Sequence, residues 1–216
     1  NFLLRPLIAQ KSTWMKRILT YPGTYLVAVK SRERDPLAHI ANFRTKTVSM
    51  IAALSKDGIV HHSFIRSYSA EKRGPTVIYF CSFLLHLAMK PTTRGALLVM
   101  DNHSIHGEQE VQNSFIHLKK NFHIDVYFMP PHSPFMNPIE YAFQLIKDAV
   151  SKSTFPWTMI DLEKVINRVV SSLTASNSTG CFTIAGHYRE QAILGLPFQG
   201  KLLSPILRSL DKQEPD

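Results

Sequence analysis

The sequence lacks the features of a membrane protein and of a disulfide-stabilised domain. No apolar run in its 216 residues approaches the roughly 20 residues that span a bilayer. The longest run, TVIYFCSFLLHLAM (76–89), is interrupted by His86 and predicts a buried helix. The two cysteines, Cys81 and Cys181, lie far apart and form no metal-ligand pattern. We therefore expect reduced thiols in the core of a protein that is not secreted.

Acidic residues are scarce, and one part of the chain has none. Lys and Arg number 25 against 16 Asp and Glu, a formal net charge of +9. Residues 1–32 contain six basic residues and no acid. Such an excess is typical of a polyanionic partner, most often nucleic acid. An anionic lipid surface, an acidic protein or simple solubility would also account for it.

The length and the hydrophobic fraction of 44% predict one globular domain, residues 1–196. The tail, 197–216, contains KQEPD and is expected to fray. Because the chain opens with Asn1, a cut domain, a processed presequence and a further N-terminal domain would all look the same. A basic start is compatible with import into the nucleus or into an organelle such as the mitochondrion, but it does not identify the compartment.

Hydrophobic spacing predicts a mixed α/β order. Strands are expected at 2–9, 24–30, 46–55, 59–65, 95–101 and 123–129, and helices at 76–90, 107–120, 139–150 and 159–173. Asp57–Gly58 predicts the turn of a hairpin, and 30–36 is expected to be a charged connector. A hairpin followed by alternating helices and strands favours a mixed central sheet with helices on both faces.

Two carboxylates stand where a site is expected. Asp101 ends the buried strand GALLVMD (95–101), and ligands bind at the carboxyl ends of strands in open α/β sheets. Glu140 lies in the first turn of a later helix, NPIEYAF (137–143), after a segment long enough to return to that edge. Two carboxylates held together repel each other unless a hard cation such as Mg²⁺ or Mn²⁺ lies between them. Such ions activate water in phosphodiester cleavage.

The same residues have a purely local interpretation. Asn137 and Pro138 are typical of a helix start, in which the Asn137 side chain caps the free amides of the first turn. Glu140, at the third helical position, is suited to accept a hydrogen bond from the backbone amide of this cap residue. Asp101 is suited to begin an Asx-turn. The residues by themselves leave both interpretations open.

Two segments carry a resemblance to a known family. LLVMDNHSIH (97–106) and MPPHSPFMNPIEYAFQLIK (129–147) resemble the paired signature of Tc1/mariner (IS630-type) DDE transposases. In that family DN-x-x-x-H carries the second catalytic acid and PP-x-SP-x-x-NPIE the third. The likeness covers roughly residues 40 to 195, and CFTIAGHYREQAILGL (181–196) is a looser match.

The resemblance implies a ribonuclease-H-like fold and Mg²⁺- or Mn²⁺-dependent DNA strand cleavage and transfer by three acidic residues. Two of these catalytic and metal-binding positions fall on Asp101 and Glu140. The other matched motif positions are Asn102, His106, Pro130, Pro131, Ser133, Pro134, Asn137 and Pro138. His103, His106 and His132 are expected to stabilise loops or contact phosphate, because their spacing lacks a zinc ligand set.

The first acid of the family has no counterpart. The resemblance places it nearest to Gln10, and a neutral amide beside Lys11 supplies no negative charge. A shifted alignment does not help, because 1–32 lack acids. Glu33 and Asp35, flanked by arginines, are expected to be a solvated charge run.

We therefore expect a domesticated pseudoenzyme without a cofactor, in which two carboxylates bind a divalent ion weakly at most. The alternative is an active Mg²⁺- or Mn²⁺-dependent DDE core whose first acid lies upstream of Asn1.

No helix-turn-helix reader of specific DNA is visible in the sequence. Phosphate contact without base specificity, to DNA or RNA, is expected instead. The candidate contacts are Arg5, Lys11, Lys16, Arg17, Lys30, Arg32, Arg44, Lys46, Lys119 and Lys120. These features predict a nucleic-acid-binding or scaffolding subunit of a larger assembly, such as a ribonucleoprotein, with other proteins as further partners. A purely protein-binding domain is a third interpretation.

Overall fold

The computed structural model describes residues 25–34, 47–67, 77–130, 133–153 and 158–195. The strands are β1 (Tyr25–Arg34), β2 (Thr47–Ser55), β3 (Gly58–Ser67), β4 (Leu97–Met100) and β5 (Asp125–Phe128). The helices are α1 (Val77–Ala88), α2 (Gln109–Phe122), α3 (Pro138–Lys152), α4 (Met159–Ser172) and α5 (Ala175–Ile193). The predicted strand 2–9, the neighbourhood of Gln10 and the tail lie outside the described residues.

The strands form one sheet in the order β3-β2-β1-β4-β5. The β2–β3 hairpin is antiparallel and β2 is antiparallel to β1, whereas β1, β4 and β5 run parallel. Parallel neighbours require crossover connections, and here α1 leads into β4 while α2 joins β4 to β5. The mixed sheet that the element order predicted is confirmed.

The hairpin turn forms where Asp57–Gly58 predicted it. Gly58 has a φ of 138°, a conformation that side-chain-bearing residues rarely adopt. The Ser55 hydroxyl donates to the Gly58 carbonyl at 3.2 Å and accepts from the Asp57 amide at 3.1 Å. Local turn chemistry therefore fixes the pairing of Ser55 with Gly58 and of Leu54 with Ile59, and an irregularity between Leu54 and Ala53 shifts the register of the rest of the ladder.

The charged connector expected at 30–36 is wrong for its first five residues. The antiparallel ladder between β1 and β2 continues from Val27 opposite Leu54 to Arg34 opposite Thr47, so Lys30 to Arg34 are strand residues. Charge runs usually indicate solvated loops, but a backbone ladder depends on main-chain groups and accepts charged residues. Lys30 and Arg32 thus lie on β1.

Two apolar layers cover the sheet. On one face, α1 and α2 pack against alternate residues of the strands, and Leu98 and Met100 of β4 are fully buried there. On the other face, α3, α4 and α5 pack against Leu97 and Val99. Because both faces are covered, all four residues of β4 are buried, as expected for a central parallel strand.

Helix α1 is buried on one face only, which corrects the prediction of a buried helix. Leu84 is fully buried, whereas Ile78 is 78% and Met89 65% exposed. A sheet covers only one face of a helix that packs against it. Because α1 is apolar on all sides, its sequence does not indicate which face is buried. No helix in the described ranges is long and apolar enough to cross a membrane.

The two cysteines are free thiols, as predicted. Cys181 is buried within α5, and Cys81 is half-buried on α1. Burial raises the pKa of the Cys181 thiol to about 12, so the group is a neutral core residue.

Candidate functional site

Asp101 follows β4 directly, at the carboxyl edge of the parallel strands. The Met129 amide donates to the Met100 carbonyl at 2.7 Å, which extends the β4–β5 pairing to the last residue before Asp101. The Asp101 side chain remains 42% exposed. The buried strand thus delivers a carboxylate to the surface, as the sequence predicted.

His106 approaches Asp101 from a short 3-10 turn, Ser104–Gly107. Its Nε2 atom lies 3.3 Å from Oδ1 of Asp101, so the carboxylate pairs with His106 and not with an Asx-turn of its own. The ring is buried among aromatic side chains, with centroid distances of 5.0 Å to Phe80 and 5.5 Å to Phe128. The expected loop-stabilising role of His106 has this geometric basis.

His103 does not form a metal site with His106. His103 is exposed and caps the same 3-10 turn by accepting a hydrogen bond from the Ile105 amide at 3.3 Å. His132 and Pro131 lie outside the described residues. Among the residues that are described, no three His, Cys, Asp or Glu side chains are grouped closely enough to hold a metal ion.

Glu140 reaches the same edge from the first turn of α3. Burial raises the pKa of the Glu140 carboxyl, the negative charge of Asp101 raises it further, and Lys147 partly opposes both effects. The electrostatic influence of Asp101 shows that the two carboxylates lie near each other although 38 residues separate them in the sequence. The structure therefore brings together the two residues that the sequence singled out.

Asn137 does not cap α3 as the sequence predicted. Its side chain makes no capping hydrogen bond, is 1% exposed, and leaves Oδ1 buried without a partner. Main-chain bonds start the helix instead, from the Glu140 amide to the Asn137 carbonyl at 3.2 Å and from the Asn137 amide to the Pro134 carbonyl at 2.9 Å. The preceding 3-10 turn, Pro134–Met136, turns Asn137 inward.

Two contacts that the sequence did not predict hold the loop before α3. The Tyr141 hydroxyl donates to the Phe135 carbonyl at 2.7 Å, and the Phe135 ring packs against Tyr188 of α5 at a centroid distance of 5.5 Å. The apolar stripe of α3, which was predicted, faces the same layer. Since α5 is far along the chain, no local signal indicated that it would support Glu140.

Comparison with known proteins gives the family. A family model described as DDE superfamily endonuclease matches residues 13–162, more than half of the chain. The chain belongs to the DDE endonuclease superfamily. No curated protein matches it at a significant level.

Solved structures confirm the ribonuclease-H-like fold of this DDE domain. The catalytic domain of Mos1 mariner transposase matches with a TM-score of 0.70 at 10% identity, over 89% of this chain and 95% of that one. The Mos1 catalytic domain with raltegravir and Mg gives 0.69 at 11% identity, over 89% and 93%. A pre-cleavage Mos1 transpososome gives 0.70 at 11% identity, but the match covers only 62% of that chain.

The part of β1 that stands beside Asp101 carries no acid. β1 pairs with β4 from Tyr25 opposite Leu97 to Ala28 opposite Met100, so the next residues, beside Asp101, are Val29 and Lys30. Glu33 stands four residues beyond Val29, about 13 Å along an extended strand at about 3.3 Å per residue. Gln10 and Asp35 lie outside the described residues.

The donor set at this edge does not fit a two-ion site. Asp101 and Glu140 are the carboxylates brought together among the described residues, and burial and the charge of Asp101 both raise the pKa of Glu140. Two ions that clamp the attacking and leaving oxygens need more negative charge than one or two carboxylates supply.

The predicted phosphate contacts fall in three groups. Lys119 and Lys120 are exposed in the last turn of α2. Lys30 and Arg32 lie on β1. The remaining candidates lie outside the described residues and are Arg5, Lys11, Lys16, Arg17, Arg44 and Lys46.

Proposed function

We propose that this chain is a transposase-derived DDE domain that no longer cuts DNA and serves as a basic nucleic-acid-binding or scaffolding subunit of a larger assembly, such as a ribonucleoprotein. The observation that carries the proposal is the residue pair Val29–Lys30, which stands beside Asp101 on the neighbouring parallel strand. A catalytic acid in this strand would complete the set, and residues 25–32 contain none.

Electrostatics explains why the absence of an acid from this part of β1 prevents cleavage. A divalent cation in a protein is held by several oxygen ligands, and ionised carboxylates offset its charge. At this edge β1 provides Val29 and Lys30 where a third carboxylate would stand, so fewer negative charges are present to offset the charge of a divalent ion.

Nucleic acid is the partner that the charge and the fold together support. The net charge of +9 favours a polyanion, and the fold is similar to that of a transposase whose structures include a strand transfer complex. Phosphate contacts need no metal ion and no catalytic acid. Loss of cleavage is thus compatible with retained binding.

Cleavage of supercoiled plasmid in Mn²⁺ tests the first half of the proposal. We expect the wild type, Glu140→Gln and Asp101→Asn to give the same background nicking. Cleavage by the wild type that both substitutions abolish would instead establish an active DDE enzyme that draws its first acid from another position, upstream of Asn1 or elsewhere.

Fluorescence anisotropy with labelled 20-nucleotide DNA and RNA tests the second half. We expect binding that weakens steeply between about 50 and 200 mM salt, because bound phosphates release counterions. A protein-binding scaffold without a nucleic-acid partner would show no such binding at any salt concentration.

A further inference from the structure

We propose that the phosphates of the bound nucleic acid contact the end of the molecule opposite Asp101 and Glu140. This amino-end surface is formed by residues 89–96, between α1 and β4, and 119–125, between the last turn of α2 and β5. The inference rests on the proposed nucleic-acid binding and specifies which surface performs it.

The topology places the two segments of the amino-end surface side by side. The Gly95 amide donates to the Phe122 carbonyl at 3.0 Å, and the Asp125 amide donates to the Ala96 carbonyl at 3.1 Å. Both segments therefore lie at the amino ends of β4 and β5. Asp101 lies at the other end of β4, five residues after Ala96, which is about 17 Å at about 3.3 Å per residue.

The amino-end surface is strongly basic. It contains four cations and one acid, a net charge of +3 with histidine neutral, and the cations are Lys90, Arg94, Lys119 and Lys120. All four are exposed. At the carboxyl edge, the segment 101–110 contains three acids and no Lys or Arg, but β1 ends there too and adds three cations and one acid, so the charges of the two segments largely cancel to −1.

The separation of the two ends is large enough for them to act independently. Glu110 and Lys120 lie ten residues apart on α2, which is about 15 Å at about 1.5 Å per residue. The screening length at physiological ionic strength is about 8 Å. A phosphate at the amino end therefore experiences little repulsion from Asp101, Glu108 and Glu110, whereas a phosphate beside these acids is repelled by them.

Helix dipoles account for only part of the positive charge. Lys119 and Lys120 lie in the last turn of α2, where cations are common in any protein, and Lys119 is 2.9 Å from Asp125. Lys90 follows the carboxyl end of α1, and its amide donates to the Leu87 carbonyl at 3.1 Å, so the dipole of that helix favours a cation there too. Arg94 instead follows the short turn Pro91–Thr93 and belongs to no α-helix, so a dipole does not account for its position.

Lys90 also acts on a neighbouring histidine. Burial lowers the pKa of His61 to about 4, and the charge of Lys90 is the next largest cause, ahead of His62 and His86.

Two matched triple variants of the full chain test the location. The first is Lys90→Gln/Arg94→Gln/Lys120→Gln. The control is Lys147→Gln/Lys164→Gln/Arg168→Gln, which removes the same charge from α3 and α4 across the sheet, including the lysine nearest Glu140. Binding of a fluorescein-labelled 20-base-pair DNA or RNA duplex is measured from about 50 to 200 mM salt, with circular dichroism melting to verify folding.

We expect the first variant to bind at least tenfold more weakly and its salt dependence to be less steep by about 3, roughly one for each cation removed. The control should change affinity less than threefold. Equal weakening by both variants, or none by the first, overturns the location while leaving nucleic-acid binding intact.

A wild type that binds neither duplex refutes the proposed function itself. Binding to phosphatidylserine vesicles that is lost in the first variant, without binding to either duplex, would assign the surface to a membrane and overturn the inference.

Discussion

The Nε2 atom of His106 lies 3.3 Å from Oδ1 of Asp101, while Nδ1 of the same ring is buried without a hydrogen-bond partner. One side of the imidazole is thus paired with a half-exposed carboxylate, and the other faces apolar surroundings in which an unpaired polar atom costs free energy. The aromatic contacts to Phe80 and Phe128 indicate that shape and apolar packing account for most of what His106 contributes to stability.

Replacement of His106 by Phe should therefore preserve stability. We expect His106→Phe to unfold within about 1 kcal/mol of the wild type, because an aromatic ring is kept and the unpaired Nδ1 is removed. His106→Ala should lose about 2–4 kcal/mol through the cavity that it leaves. Urea denaturation measures both, and a Phe variant as unstable as the Ala variant would show that the bond to Asp101 dominates.

Glu140 should make the protein less stable as the pH rises. Its pKa is raised above the usual 4.5 by burial and by Asp101. Between the usual and the raised value, the folded protein keeps a proton that the unfolded chain has lost, so stability falls with increasing pH.

Glu140→Gln cannot ionise, and we expect it to melt at a higher temperature than the wild type at pH 7. The two melting temperatures should converge below about pH 4, where both states of the wild type are protonated at this residue. Glu190→Gln, which removes one negative charge from an exposed position on α5, serves as a control for charge alone. A wild type that melts above Glu140→Gln at pH 7 contradicts the prediction.

Lys90 should depress the pKa of His61. Burial is the larger cause of its value of about 4, so Lys90→Gln should raise the pKa of His61 only partway towards 6.5. Nuclear magnetic resonance titration of the His61 ring measures the shift. Lys120→Gln, which removes a charge that is not among the causes, should leave the pKa unchanged. If both variants gave the same titration curve as the wild type, Lys90 would not act on His61.

Adjacent leucines of α1 offer a matched test of the fold. Leu84 is fully buried and Leu85 is 44% exposed. We expect Leu84→Ala to cost about 2–5 kcal/mol in the free energy of unfolding and Leu85→Ala less than about 1 kcal/mol. Equal losses would mean that the outer face of α1 is also covered in solution.

Local signals predicted the elements well where a single neighbour decides the conformation. Asp57–Gly58 predicted the hairpin because only glycine readily adopts the φ that Gly58 has. Apolar spacing predicted the helix at 107–120, and the structure buries Val111, Phe115 and Leu118 on one face of it. These features depend on residues a few positions apart, and the sequence displays them directly.

The candidate site was predicted in part. Motif resemblance selected Asp101 and Glu140, and the structure brings them together. The inward turn of Asn137 was not predicted, because capping preference describes a helix in isolation and not the packing of the loop before it.

By itself, the sequence determined the strands and helices from β2 to α4, the excess of positive charge and the absence of acids from residues 1–32, because these are properties of residues and their near neighbours. Only the tertiary structure decided that Val29 and Lys30 stand beside Asp101 and that Lys90 and Arg94 lie next to Lys119 and Lys120 at the amino ends of β4 and β5. Strand pairing brings together residues remote in sequence, and the register of that pairing is set by the packing of the whole domain.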